Sequence, residues 1–512
     1  MLTGDMLRRA AHRHPAKAAI LWNDTALSYR DLDAAANRLA HALRAAGLPR
    51  QAKVGMLSRN RADYAVVFFG VAKSGCVLVN VSVLYAPDEL AFVLDKADVE
   101  LLIFEDVFAD KVAAVRAKLP RLKTLVALGA GKLGAPLLAD FIAGHSAAEP
   151  GVAMSEDDPF CMTYTGGTTG RPKGVLATHR ARAVTAHTVM VEEAIDERDV
   201  VGVVTPMFHV AALNIMFQPA MLAGATVTML APWSADGFRE MVRRTGMTAN
   251  FMVPTQAIQV VQDPAFDPAA YRTWKKVSFA GAPMPDWTQK ALMEKLPNLR
   301  LTQIYGQSEM GVIAVNRWWN LPRKLGAVGR EAYNVDLRVV RPDGTPVGVG
   351  EIGEVVSRGE NLMREYYDEP EQTKAFFKLG DGWGWSGDLA TIDADGFVTL
   401  VDRSKEMLIS GGENVYPSEI ERVIYALPEV AECAVFGVPD DQFGELPAAY
   451  IALKAGTSLT EAQVTAHCER HLARFKRPRL VKFVTDFPKT PIGKIQKNVL
   501  KEPYWQERTK KI

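Results

Sequence analysis

The chain has 512 residues, 48% of them hydrophobic and 23% charged, with a formal net charge of +1. That length exceeds one compact core and, at about 150 residues per domain, predicts three or four domains or subdomains. The near-neutral balance gives no nucleic-acid surface, and the four scattered cysteines, Cys76, Cys161, Cys433 and Cys468, form neither a disulfide framework nor a metal cluster, which fits a cytoplasmic location. Asp5 interrupts the N-terminus and no apolar core of signal-peptide length follows, so no export signal is expected.

Ser28 and Asp31 have capping-box spacing, and Leu32, Ala36, Leu39 and Leu43 recur at helical intervals until Gly47. A strand is expected over 54–57, a helix over 62–73, an apolar run over 76–81, a helix over 89–95 and a strand over 100–104. This alternation predicts parallel sheet covered on both faces, the α/β class. Residues 201–235 contain no Asp, Glu, Lys or Arg, but Pro206, His209, Asn214, Gln218, Pro219 and Gly224 break the run. They predict buried α/β core and no transmembrane segment. Loops with Pro206, Pro254, Pro283 and Tyr305 then follow short β-rich runs, the place where α/β folds bind ligands. Texture shifts to a β-meander over 328–401, with turn signals at Asp343-Gly344 and Asp395-Gly396. A small α+β unit of about a hundred residues follows, with elements over 418–426, 431–438, 448–453, 461–472 and 481–484.

The stretch from Met162 to Gly174 gathers Thr165, Gly166, Gly167, Thr168, Thr169, Gly170 and Lys173. Glycines let backbone N–H groups approach phosphate oxygens, hydroxyls add donors and lysine adds charge, the chemistry of a polyphosphate cradle. Apolar runs on both sides predict a hairpin tip. A Walker A motif is excluded, since Pro172 precedes the lysine and a β-like segment, not a helix, follows. Gly382, Gly384 and Gly387 satisfy G-x-G-x-x-G, yet a polar run precedes them and a β-like run follows, so a dinucleotide fold is not expected.

Further motifs accompany the loop: Tyr305-Gly306-Gln307-Ser308-Glu309, Gly384-Trp385-Ser386-Gly387-Asp388, Asp402-Arg403-Ser404-Lys405-Glu406, Ser410-Gly411-Gly412-Glu413, Pro206-Met207-Phe208-His209 and Pro488-Lys489-Thr490-Pro491-Ile492-Gly493-Lys494. In this order and spacing the chain resembles the AMP-forming acyl-CoA synthetases of the adenylate-forming superfamily. The resemblance covers essentially the whole chain. It implies a large N-terminal domain, 1–402, of stacked α/β subdomains with the β-rich part, and a small mobile α+β C-terminal lid, 403–512, hinged near Lys405. It implies two half-reactions: a carboxylate attacks the α-phosphate of ATP to give acyl-adenylate and pyrophosphate, then the thiol of coenzyme A displaces AMP.

Within that scheme the glycine-rich loop with Thr165, Thr168, Thr169 and Lys173 holds the β- and γ-phosphates, Ser308 a phosphate oxygen and Glu309 Mg²⁺. Tyr305 stacks on adenine, with Gly281, Ala282, Pro283, Gly306 and Gln307 beside the nucleotide. Asp388 accepts and Arg403 donates at the ribose diol. Lys494 bridges the carboxylate and the α-phosphate as charge develops, and Lys405 is the pivot. Phe208 and His209 gate the acyl pocket, walled by Phe251, Gly281, Ile304, Gly306, Met310 and Gly311. Gly411, Gly412, Glu413 and Lys476 fall to coenzyme A. The expected partners are a small-molecule carboxylic acid, ATP and coenzyme A, with monomer and homodimer both open. Gly166 replaces the usual serine of the loop, Ser386 the usual threonine, and Glu365 a common glycine. Loading of a carrier-protein thiol, or amino-acid activation, is the alternative. The segment around His209 offers no acid for an α-ammonium, and Asp236 lies well downstream, which favours an uncharged organic acid of aromatic, alicyclic or medium-chain type.

Overall fold

The structure is a computed structural model that describes residues 1–165, 172–282, 284–403, 406–489 and 495–506. Expectations for Gly166, Gly167, Thr168, Thr169, Gly170, Pro283, Lys405 and Lys494 lie outside the described residues. The fold is mixed α/β in two compact units: Met1–Leu325 with Gly329–Leu337 and Ser357–Gly384, and Gly326–Val328 with Arg338–Val356 and Trp385–Ile512.

Ser28 starts the first long helix, Tyr29–Ala45, by accepting the Asp31 N–H at 3.1 Å, and Gly47, at φ +79°, lies just beyond its end. The next helix, Ala62–Ser74, is buried from Tyr64 onward, because it meets strands of both sheets of the first unit. An all-round apolar helix must be covered on all sides. Phe68 and Phe69 provide that packing edge-to-face, with Phe68 also meeting Phe160 and Phe217 at 5.1 and 5.4 Å.

A seven-stranded sheet runs in the order Glu365–Tyr366, Lys173–Thr178, Pro159–Thr165, Val77–Asn80, Lys53–Leu57, Val99–Glu105, Thr124–Leu128. The nine-stranded sheet contains the parallel strands Val200–Val203, Ala249–Met252, Lys276–Phe279 and Arg300–Gln307 side by side. Their register places Met252 opposite Phe279 and Phe279 opposite Gln303, so their carboxyl ends form one edge. The charge-free residues 201–235 become a strand, the π-helix Ala212–Phe217, the short helix Gln218–Ala223 and a second strand; the π-helix and the second strand are fully buried, while Ala231, Pro232 and Ser234 are exposed. Among the described residues no helix is long and apolar enough to cross a membrane.

The second unit has a four-stranded sheet from Asp336–Val340, Gly353–Arg358, Gly384–Ile392 and Val398–Arg403. Gly384 opens a strand rather than a helix, which removes the dinucleotide reading. A further sheet of Glu413–Val415, Leu408–Ser410, Gly444–Leu453 and Val430–Asp440, with Leu480–Phe483 parallel to Gly444–Leu453, carries helices Pro417–Tyr425 and Glu461–His471. Ile420, Ile424, Val435, Ile451 and Val464 form its core.

Candidate active site

The glycine-rich segment joins antiparallel strands whose register sets Thr165 opposite Lys173 and Tyr164 opposite Gly174. The expected hairpin is therefore present, with a threonine and a lysine flanking its tip. Tyr366 pairs with Val175 on the next strand, and its ring lies 5.1 Å from Lys173 Nζ, a cation–π contact. Lys173 also donates to Gln372 Oε1. The Tyr366 hydroxyl donates to Glu309 Oε1 at 2.8 Å, and burial, then the Glu309 charge, push its phenol upward in pKa. Neither Tyr366 nor Gln372 stood out in sequence. A two-residue edge strand shows no periodicity, and the Glu309 contact spans 57 residues. Glu365 pairs with Leu176 on an ordinary strand, so nothing there requires the glycine it replaces.

Glu309 sits in the turn between strands Arg300–Gln307 and Gly311–Asn316. Gly306 lets that hairpin close: a Cβ there would lie 1.9 Å from the Gly311 carbonyl oxygen. The backbone of Gly311 is left-handed at φ +62°. Tyr305 and Ile304 are buried and Gly306 is exposed, with Gln307 and Ser308 half-buried at the carboxyl edge of the sheet. Gly281, at φ +90°, and Ala282 follow Phe279 on the same edge and are exposed. The loop after Val203 brings Pro206–His209 there too, clamped by Asn60, which donates to Thr205 O at 2.8 Å and accepts from Met207 N–H at 2.8 Å.

His209 accepts the Ala211 N–H on Nδ1 at 3.2 Å, and burial pushes its pKa down to about 4, so it is neutral near pH 7. Phe208 joins the hydrophobic core of the seven-stranded sheet, in a cluster with Met162 and Tyr164. Phe251 and Met310 are fully buried.

In the second unit Asp388 and Arg403 are directly opposed across antiparallel strands, with Nε 3.2 Å from Oδ1. Ser386 supplies the hydroxyl expected of threonine: its Oγ donates to Val355 O at 2.7 Å and accepts the Asp388 N–H at 3.0 Å. Gly411 and Gly412, at φ +61° and +84°, form a two-residue hairpin turn before Glu413, which only residues tolerant of positive φ make readily. The turn Arg474–Lys476 lies against strand Glu413–Val415, and Lys476 pairs with Glu419 at 2.7 Å. The coenzyme A candidates thus share one region. Lys497, a residue the motifs did not single out, pairs with Glu421 at 2.8 Å and Glu406 at 3.2 Å. Burial opposes its charge, but Glu421, Glu406 and Asp402 outweigh burial and raise its pKa.

Among the described residues no three His, Cys, Asp or Glu side chains gather as a metal cluster. The donor set fits Mg²⁺, which takes one or two carboxylates and completes its shell with water and substrate phosphate. Glu309 would hold it.

Comparison with known proteins agrees with this geometry. The model of the AMP-binding enzymes matches residues 7–367, and that of the AMP-binding enzyme C-terminal domain matches 419–494. This chain belongs to the AMP-binding enzyme family. It is 34% identical over 500 residues to a feruloyl-CoA synthase of Amycolatopsis sp, covering 97% of this chain and 98% of that one. It is likewise 34% identical over 506 residues to a long-chain-fatty-acid–CoA ligase of Mycobacterium tuberculosis, covering 98% of each. The crystal structure of an anthranilate CoA ligase in complex with anthranoyl-AMP superposes with a TM-score of 0.91 at 27% identity, over 98% of this chain and 97% of that one. ATP-bound MatB from Rhodopseudomonas palustris gives 0.90 at 30% identity, over 98% and 99%.

Proposed function

We propose that the chain is an ATP-dependent, AMP-forming carboxylic acid:CoA ligase acting on an aromatic, alicyclic or medium-chain acid. The observation that carries this reading is the array at the mouth of the glycine-rich hairpin, where Tyr366 links the Glu309 carboxylate to the Lys173 ammonium. A carboxylate suited to a hydrated cation and an ammonium suited to phosphate, joined by one phenol, support this reading. The similarity to feruloyl-CoA synthase and fatty-acid–CoA ligase supports the acid and the thiol.

The reaction needs charge neutralisation and in-line positioning more than covalent help from the protein. Lys173 and the loop threonines hold the departing pyrophosphate. Glu309 would hold Mg²⁺, which when bound would supply neutralisation of phosphate charge. Asp388 and Arg403 fix the ribose, and Lys494 stabilises the charge that develops as the carboxylate attacks the α-phosphate. The segment after Arg403 then pivots at Lys405, which divides the chain functionally into 1–402 and 403–512, and the Gly411-Gly412 turn guides the thiol to the acyl carbon. The neutral His209 and the apolar residues around it add no charge of their own to the acyl pocket.

The test is AMP formation from a panel of carboxylic acids with ATP, Mg²⁺ and coenzyme A, each repeated without thiol. Acid-dependent pyrophosphate release followed by thiol-dependent AMP release is expected. Pyrophosphate release independent of any acid would overturn the reading.

A further inference from the structure

Arg182 lies on the helix His179–Glu192 and is only 4% exposed. Its Nη1 donates to Asn214 Oδ1 at 2.8 Å, and Gln218 Nε2 donates to the same oxygen at 2.9 Å. Among the described residues, Arg182 Nε and Nη2 are buried with no acceptor and no carboxylate pairs with the side chain. A guanidinium cannot shed its proton to escape burial, so an interior one normally has an anionic partner.

The unmatched edge has a definite chemistry. Nε and Nη2 form one side of the guanidinium fork, and elsewhere in this chain that side holds carboxylates. Arg59 uses it on Glu105, Arg198 on Asp196, Arg243 on Glu240 and Arg341 on Glu351. Planar bidentate capture of a carboxylate is what this edge does best.

Its place in the fold points the same way. Asn214, which holds Nη1, belongs to the π-helix Ala212–Phe217 that begins three residues after His209. Thr185, one turn beyond Arg182 on its helix, abuts Gly311, where a Cβ would come within 2.7 Å of Thr185 Oγ1. Arg182 is therefore held by the π-helix that follows the His209 loop and lies one turn from the residue that abuts Gly311, a wall residue of the proposed acyl pocket. We infer that Arg182 is a specificity residue at the far end of that pocket and that its Nε–Nη2 edge binds a second carboxylate on the substrate, making the acid a dicarboxylic acid activated at its other end. The inference rests on the ligase reading and narrows it. The competing arrangement is a water joining the fork to Gln218 Oε1, which also has no donor.

The experiment compares medium-chain α,ω-dicarboxylates and benzene-1,4-dicarboxylate with their monocarboxylate analogues, using wild type, Arg182→Lys and Arg182→Met. Wild type is expected to favour the diacids by roughly 10⁴-fold in kcat/KM, since a buried polar group left unmatched rejects the analogue lacking its partner. Arg182→Met inverts the preference, and Arg182→Lys restores part of it. The Tm of Arg182→Met, measured alongside, is expected to equal or exceed that of wild type, since no ion pair is lost; a merely structural arginine would lower it. Diacids without ATP should also raise the wild-type Tm more than monoacids do, a readout that needs no variant to fold. Equal turnover and equal Tm shifts for both acid types in wild type, or diacid preference kept in Arg182→Met, would overturn the inference and leave the ligase reading standing. Failure of every acid to yield AMP would remove the ligase reading itself, and this inference with it.

Discussion

Glu309 accepts the Tyr366 hydroxyl at 2.8 Å while the same ring lies beneath Lys173, so one phenol positions both charges of the proposed nucleotide site. A hydrogen bond to a carboxylate contributes about 1.5–3 kcal/mol, and groups that orient a metal ligand typically govern about 10–100-fold of metal affinity. Tyr366→Phe keeps the ring under Lys173 and removes only the hydroxyl. The half-saturating Mg²⁺ concentration for AMP formation should rise at least about tenfold, with KM for the acid little changed. An unaltered Mg²⁺ titration would detach Tyr366 from the metal. Much of this residue-scale pattern was legible in sequence. Glu309 beside Tyr305-Gly306, and Asp388 with Arg403 as acceptor and donor for a diol, stood out by their motifs; the direct opposition of the last two was not legible, because a register shift between Leu389 and Ala390 creates it. Tyr366 was not legible, because its strand is two residues long and pairs with a segment far away in sequence.

At the scale of elements, the hairpin Arg300–Gln307/Gly311–Asn316 depends on one missing side chain. With Cβ only 1.9 Å from the Gly311 oxygen, Gly306→Ala must force the strands apart, at about 3 kcal/mol, and displace Glu309 with them. Both the Tm and AMP formation should fall, and retention of either would argue that the turn relaxes freely. The far end of the helix His179–Glu192 makes a pH prediction. Glu193 is buried near Ser278 and Thr302, and burial, with Glu192 adjacent, pushes its pKa up to about 7 from 4.5. The folded chain therefore holds a proton that the unfolded chain releases. The stabilising effect of that proton is complete below about 4.5 and is lost as pH rises through about 7. Glu193→Gln, neutral at every pH, should gain on the order of 2 kcal/mol over wild type at pH 8 and little at pH 5, by urea denaturation. Comparing variant with wild type cancels the opposite effect of His179 and His209, both held near 4 by burial. Equal differences at the two pH values would show that Glu193 is not the titrating group. Helix and strand alternation was legible here because capping at Ser28 and apolar runs are local signals. The π-helix was not, since an extra residue per turn leaves no distinct pattern in a uniformly apolar stretch.

For the whole molecule the proposed chemistry needs two arrangements of one chain, one for Lys494 at the α-phosphate and one for the Gly411-Gly412 turn at the thiol. The sequence suggests that division through its motifs and not through composition. Residues 328–401 read as part of the larger body, whereas Arg338–Val356 and Trp385 onward cluster with the C-terminal residues. A meander continuous with the following strands carries no local sign of where a compact unit ends. The two half-reactions separate the roles experimentally. Lys494→Ala should lose roughly 3 to 4 kcal/mol of transition-state stabilisation in adenylation, yet convert supplied acyl-adenylate and coenzyme A to acyl-CoA. Lys405→Pro tests the pivot without touching either charge centre. Proline fixes φ near −65°, so a segment that must rotate between two backbone conformations is held in one of them. The variant should therefore retain one half-reaction near the wild-type rate and lose the other, read separately as pyrophosphate release and as thioester formation from supplied acyl-adenylate. Loss of both halves together would indicate a damaged fold, which the Tm would report. Unchanged overall turnover would place the pivot elsewhere in the chain.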